Sequence, residues 1–600
     1  DLRGRTMPTV AIFLTLLAGF ILPGRAAAVE RITIGGSGLA WEENSIIFNA
    51  LEEVDSNLLP LEADPEENIL PRIKELGGSA ETSVRTAAAR SNQILNELTD
   101  EDYTTGWRVY TNTNGAELTV DMGTIFVLQR LFLRRGVLTS DERSLRGYEF
   151  YINDGDSLNL IGSEPAYVLV NQDRSHGEPE LDISFPAQEV RFFKIRSTGE
   201  RGFQMGDLEV FGIGVTPLAH YVSQVIDLGA PANFGPIQVA THVDPKARAL
   251  LTTKTGIVPS DSLYFRQTGI PGEFEEIPED QFDRTLDPSY AGEVRENDRD
   301  WSAWSPSYAS LENAPLSSPD NRRYLQFELR LMSGGLLDKA IIDSVTFSYT
   351  IPAIADSVVA EISPVTAAIG EVNRFTYYLR SVFTGNKRGF DTVFIHTPFA
   401  STVTGVEIND VAISDYDWEM EDNSLKVIFA NDRIETSGQK ITVDFESLMT
   451  VSGTEFRGRV GDSQSDAFPQ RVIAGDASAD EEGNRLVVSG EIEEHLFSSV
   501  QFSSPVITPN GDERNDSLEL DYILLKATSP VNIEVVVYNL KGDIVRRVYD
   551  EFDLSGPNKV SWDGTDDAGG TVPPGLYLVR LQADTDAGRN TEIRSVAVAY

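Results

Sequence analysis

Leu98-Thr-Asp-Glu-Asp-Tyr-Thr-Thr-Gly-Trp107 is the stretch on which the reading of this chain turns. Asp100, Asp102 and Thr105 set three oxygen-bearing side chains close together, just ahead of a tryptophan. A tight loop with that spacing can turn several oxygens toward one point. Calcium needs such a place, taking six to eight hard oxygen ligands at about 2.3–2.6 Å, backbone carbonyls included. Glu209, in the later stretch Asp207-Leu-Glu-Val-Phe-Gly212, is the candidate to close the set from a strand. A structural calcium ion held by Asp100, Asp102, Thr105 and Glu209 is therefore the expectation.

Further pieces follow in order: Leu118-Thr-Val-Asp-Met-Gly123, Arg146-Gly-Tyr-Glu-Phe-Tyr151 and Val190-Arg-Phe-Phe-Lys-Ile-Arg196. With the two stretches above they resemble the discoidin family, also called coagulation-factor C-type domains. That family includes many bacterial carbohydrate-binding modules, and its loop runs roughly Asp-Gly-Asp-x-x-Thr-x-Trp. The resemblance covers residues 88–214 and implies a jelly-roll β-sandwich with a ligand site in the loops at one end. Glu101 stands where the family carries glycine, a departure at the turn of the loop. Sugar sites pair an aromatic platform with a few polar groups. In the polar loop Asn171-Gln-Asp-Arg-Ser-His-Gly177, Arg174 and His176 are the candidate ligand residues, with a solvated loop as the competing reading.

The chain has 600 residues, 41% of them hydrophobic, enough for about four packed domains. Its net charge of −43 argues against nucleic acid, which demands a basic footprint, and against anionic lipid. Val10-Ala-Ile-Phe-Leu-Thr-Leu-Leu-Ala-Gly-Phe-Ile-Leu22 follows Arg3 and Arg5 and precedes the small residues Ala26-Ala-Ala28. That pattern reads as a secretory signal peptide over residues 1–28. No later apolar run has the length of a transmembrane helix. The absence of cysteine beside an export signal fits a bacterial secreted or cell-surface protein, since exported animal proteins of this size carry disulfides.

Beyond a helical patch at Ile69–Leu76 and another at Arg85–Leu95, short stretches with period-two alternation dominate. Tyr324–Leu331, Ile441–Phe445 and Asn532–Tyr538 are examples. The expected class is all-β, a string of β-sandwich domains. Residues 29–215 form the discoidin-like unit, with 29–87 wrapping it. A second sandwich spans 216–352 and an immunoglobulin-like one 353–503. In the second, Trp301-Ser-Ala-Trp-Ser305 offers flat rings to sugars, although packing is the commoner use of tryptophan. In the third, Asp476-Ala-Ser-Ala-Asp-Glu-Glu-Gly483 reads as a solvated acidic loop.

The last unit, 504–600, holds Ile507-Thr-Pro-Asn-Gly-Asp-Glu-Arg-Asn-Asp516, Val560-Ser-Trp-Asp-Gly-Thr-Asp-Asp-Ala-Gly569 and Val572-Pro-Pro-Gly-Leu-Tyr-Leu-Val-Arg580. These resemble the immunoglobulin-like domain of the flagellar hook-cap protein. Related domains end many secreted bacterial proteins, which implies a role in attachment or sorting. Asn510, Asp512, Asn515 and Asp516 offer oxygens for a second calcium ion; a hydrogen-bonded turn is an equal reading.

No catalytic pattern emerges. The histidines 176, 220, 242, 396 and 495 are scattered, and neither His-Glu-x-x-His nor Gly-x-Ser-x-Gly occurs. The expectation is a non-enzymatic secreted or surface protein that binds extracellular polysaccharide or adheres through its discoidin-like unit, with cell-surface proteins as further partners. A structural surface-layer, sheath or secretion-associated protein with protein-only contacts is the alternative. An accessory subunit of a polysaccharide-degrading system is a third.

Overall fold

Alternation alone builds the longest strand. Glu117–Arg135 buries Leu118, Val120, Met122, Phe126 and Leu128 on one face, slips by one residue, then buries Leu131 and Leu133. In a computed structural model the described residues are 29–600, except 85–90, 112, 137–143, 163, 271, 283–290, 386, 422, 480, 482, 491–494 and 586–587. The signal peptide expected at 1–28 lies outside them. They divide into two compact units, 29–349 and 350–600, and both are built almost wholly of strands, as tandem β-sandwiches.

The helical patches are cut short. Ile69–Leu76 yields only a 3-10 turn, Leu70–Lys74, with Pro71 in its first turn and Gly77-Gly78 just past its end. The second patch contributes helix Ser91–Glu97, while 85–90 fall outside the described residues.

In the first unit, one seven-stranded sheet runs through Val168–Asp173, Tyr148–Asn153, Leu181–Ser197, Glu117–Arg135, Phe203–Gly212 and Trp107–Val109, with Ser79–Thr82 also against Glu117–Arg135. Register shifts near Ser184 and Val190 bend the long strands, so that both layers of the sandwich share them. Trp107 sits in the core, 1% exposed. Its indole N–H donates to Thr82 Oγ1 at 3.1 Å, and its ring meets Phe203 edge-on at 4.8 Å.

The second sandwich of this unit differs from expectation at its start. Residues 30–60 do not wrap the first sandwich. Glu30–Gly35 pairs with Ala340–Thr350, and Ser45–Asn49 pairs with Leu218–Ser223, in a ten-stranded sheet. Trp41 is fully buried there, edge-on to Tyr221 at 5.2 Å. Trp301 and Trp304 resolve to packing. Lys254 Nζ lies 5.4 and 4.7 Å from their ring centres and is paired with Asp261 at 2.7 Å. Ser302 and Ser305 exchange backbone and hydroxyl bonds with Thr255 and Thr253, so this segment laces the edge of strand Ala247–Gly256.

The second unit carries six-, five- and three-stranded sheets, with Phe375, Phe445 and Phe456 clustered at 4.9–5.8 Å. The acidic loop at 476–483, of which Asp480 and Glu482 lie outside the described residues, is not merely solvated. Glu361, fully buried, accepts from the N–H groups of Ala477 at 2.9 Å, Ser478 at 2.6 Å and Asn484 at 3.1 Å. A final sandwich of three- and five-stranded sheets closes over Ile533, Val535, Val537, Trp562 and Val579.

Candidate calcium loop and ligand pole

The loop after helix Ser91–Glu97 is folded by its own side chains. Asp100 Oδ1 accepts from the Asp102 N–H at 2.9 Å, and the Thr105 hydroxyl lies 3.0 Å from both Asp100 oxygens. Asp102 Oδ1 accepts from Thr104 N–H at 2.9 Å and from its hydroxyl at 2.6 Å. Those two bonds, the hydroxyl first, hold the Asp102 carboxyl below its ordinary range. Glu101 occupies the family's glycine position with φ +57°, in the left-handed region. Gly106 is needed where it stands. Its φ is +102°, and a Cβ there would lie 2.3 Å from the Met205 carbonyl.

Glu209 does not join this loop. It is bonded to Arg134, whose guanidinium also lies 5.9 Å from the ring centre of Tyr103. The carboxylate that does belong beside the loop is Asp207, which the sequence reading missed. It is 6% exposed, and its Oδ1 has no hydrogen-bond partner among the described residues. Burial first, then the charges of Asp100, Glu101 and Glu209, push its carboxyl up to about 6, with Arg134 pulling the other way. A register shift between Met205 and Leu208 separates the surroundings of Asp207 and Glu209. Among the described residues no three His, Asp or Glu side chains form a group that would hold a metal alone. A calcium ion would thus draw on Asp100, Asp207, the Thr105 hydroxyl and neighbouring backbone carbonyls. The unpartnered Asp207 oxygen fits that demand, since a buried acceptor lacking a donor is costly without a cation.

The second loop is arranged differently. Asp516 accepts from the N–H groups of Asn510, Gly511 and Glu513 at 3.0, 2.8 and 2.7 Å. These bonds, that from Gly511 first, hold its carboxyl below the ordinary range. Asn510 Oδ1 accepts from Asp512 N–H, and Asp512 Oδ1 from Arg514 N–H. Asn515 takes φ +53° and its carbonyl accepts from Thr508 N–H at 2.7 Å. This is the geometry of a hydrogen-bonded turn.

Arg174 and His176 fall together at one end of the first sandwich but play unlike parts. Arg174 is exposed. His176 is docked: its Nε2 lies 2.9 Å from the Glu180 carbonyl, its Nδ1 3.7 Å from Asp173, and its ring edge-on to Tyr148 at 5.6 Å. The neighbouring loops interlock. Thr113 donates to the Gly199 carbonyl at 2.8 Å, and a Cβ on Gly147 would meet Thr198 Oγ1 at 2.6 Å and the Arg174 carbonyl at 3.2 Å. A Cβ on Gly202 would lie 3.3 Å from the Cα of Tyr110. Tyr110, 60% exposed, therefore stands among these loops as an open aromatic ring. Its signal in the sequence was its place just past the strand that Trp107 opens.

Residues 512–587 match the FlgD Ig-like domain family. A comparison with curated proteins gave no match. Similar solved structures include chitosan-binding module 1 of a chitosanase/glucanase from Paenibacillus sp. IK-5, at 17% identity and a TM-score of 0.20, covering 24% of this chain and 100% of that one. The family 32 CBM of Clostridium perfringens NanJ, solved with galactose, is 12% identical with a TM-score of 0.20, covering 25% of this chain and 98% of that one. A Ruminococcus gnavus GH29 fucosidase is 16% identical with a TM-score of 0.20, covering 25% of this chain and 27% of its own. At such identities and TM-scores these remain likenesses.

Proposed function

We propose that this chain is a non-enzymatic, secreted or surface-held protein that binds extracellular glycan through the loop end of its first sandwich. What supports the reading is an exposed ring, Tyr110, beside Gly202, and an exposed guanidinium, Arg174, next to a docked His176, on loops linked through Gly147, Thr198, Gly199 and Thr113. A flat ring for stacking and a few fixed polar groups are what a sugar site requires. Calcium would steady the neighbouring loop through Asp100, Thr105 and Asp207, as a structural ion. The other sandwiches would act as spacers, and the C-terminal domain would serve attachment or sorting. No described helix is long and apolar enough to cross a membrane.

The test is the full chain on a broad glycan array, followed by titration of the best polysaccharide. Affinity in the micromolar to millimolar range, about −4 to −8 kcal/mol, is expected. A clean null with the protein verified as folded removes the glycan reading. It would favour the structural alternative, a protein with protein-only contacts. Export is tested separately: the secreted protein should begin at or within a few residues of Val29, and a mature chain retaining Leu16 would refute the signal peptide.

A further inference from the structure

We infer that residues 61–216 are a guest module inserted into a parent sandwich made of residues 30–60 and 217–350, and mounted on a paired two-strand stalk. The pairing of the chain's early strands carries this. Glu30–Gly35 lies antiparallel to the last strand of the parent, from Glu30 opposite Tyr349 to Gly35 opposite Ser344. Ser45–Asn49 pairs with Leu218–Ser223, placing Phe48 opposite Tyr221 and Asn49 opposite His220. Leu58 lies opposite Ile342. The fully buried Trp41 donates its indole N–H to the Ser56 carbonyl at 2.9 Å, and the hydroxyl of Tyr221 donates to the Asn44 carbonyl at 3.0 Å. The parent therefore needs both halves of its chain to complete its sheet and its core.

The chain leaves the parent after Pro60 and returns at Gly214, and the two passages pair with each other. Ala63 lies opposite Gly214, and Glu62 opposite Val215. Thr216 N–H donates to the Leu61 carbonyl at 2.9 Å, Leu61 N–H to the Ala50 carbonyl at 2.8 Å, and Val215 N–H to the Leu336 carbonyl at 2.9 Å. Leu61, Ala63, Val215 and Thr216 are all buried. Gly214, at φ +73°, would drive a Cβ to within 2.1 Å of the Leu336 carbonyl, so only glycine lets the stalk lie this close to the parent. A linker between independent domains is exposed, polar and crossed by few contacts. This one is buried and hydrogen-bonded on both passages. The guest's last strand, Phe203–Gly212, starts opposite Val109, next to Tyr110, and ends at the stalk. Ten residues at about 3.3 Å each hold the Tyr110 end roughly 30 Å from the mount. The guest thus presents its loops at the end away from the mount.

The inference does not depend on glycan binding, and its test reads folding alone. Hydrogen exchange is followed by mass spectrometry on the full chain and on a variant lacking residues 29–60. Protection should be lost over 218–223 and 340–350 and kept over 117–135 and 181–212. Loss confined to 117–135 and 181–212 would overturn the inference, because 29–60 would then belong to the first sandwich. If both regions lose protection, a second variant decides: residues 64–213 replaced by Asn-Gly, joining Ala63 to Gly214 as a hairpin. Native protection over 30–35, 218–223 and 340–350 in that variant supports the parent fold, and its loss refutes it.

Discussion

Arg134 holds Glu209 in an ion pair, and this leaves Asp207, two residues earlier, as the buried carboxylate beside the Asp100 loop. The two acids share one strand, yet one is neutralised by a fixed guanidinium and the other has an oxygen without a donor. The difference decides which acid should respond to calcium.

Millimolar calcium should raise the melting temperature of the full chain, and chelation should reverse it. A ligand that binds only the folded state stabilises it by about 2.7 kcal/mol at a hundred times Kd. Asp207→Asn and Asp100→Asn should each abolish the response, whereas Glu209→Gln should keep it. Isothermal calorimetry with no calcium uptake by the unaltered protein would end the metal assignment.

The same acid sets a pH dependence. Its carboxyl is pushed up to about 6 when folded, against 3.8 as its ordinary value, so between these pH values the folded chain keeps a proton that the unfolded chain has lost. In chelator, its contribution to stability is fully present below about pH 3.8 and is lost as pH rises to about 6. A calcium ion held by Asp207 would have to displace that proton, so its affinity should fall up to tenfold per pH unit below about 6. Asp207→Asn should flatten the stability profile in chelator between these values. An unchanged slope in that variant would assign the effect elsewhere.

Backbone strain in the loop gives a prediction of either sign. Glu101 pays a steric cost at φ +57° that glycine avoids, offset in part by glycine's larger unfolded-state entropy. Glu101→Gly should stabilise the first unit by about 0.5–1 kcal/mol. Gly106→Ala should destabilise it by about 3 kcal/mol, through both φ and the clash with the Met205 carbonyl. Denaturant titration of the two variants against the parent chain reads both.

Much of this architecture was legible in the residues. The strands at Tyr324–Leu331, Ile441–Phe445 and Asn532–Tyr538 follow from alternation that acts within a few residues. What was not legible depended on partners far away. The strands at 30–60 alternate like any others, and alternation does not say which sheet a strand joins, so they were expected around the first sandwich. Glu209 is the acid the sequence points to, and Asp207 is not, because a register shift near Met205 leaves no mark in the sequence. The acidic turn at 476–483 looked solvated because its anchor, Glu361, lies more than a hundred residues upstream.

That anchor is itself testable. Glu361 is fully buried and takes three backbone N–H groups, bonds that are stronger for a charged acceptor. Glu361→Gln keeps the shape but sets an amide N–H₂ against a backbone donor. It should cost the second unit about 2–3 kcal/mol and raise hydrogen exchange over 477–484. Exchange unchanged at Ala477 and Ser478 would show that the loop holds itself.

The ligand pole separates contact from support. Tyr110 and Arg174 are exposed, so Tyr110→Ala and Arg174→Ala should leave stability within about 0.5 kcal/mol of the parent chain. In the proposed site each would meet ligand directly, so each should weaken glycan binding about tenfold, or 1.4 kcal/mol. His176 packs on Tyr148 and bonds the Glu180 carbonyl, so His176→Ala should lower stability as well as affinity. His176→Asn, which keeps a donor but loses the ring, should recover part of the affinity if the histidine acts by holding its loop. Titration of the four variants with one polysaccharide, beside their melting curves, distinguishes these roles. If Arg174→Ala and Tyr110→Ala bind as tightly as the parent chain, the ligand does not dock at this end of the sandwich.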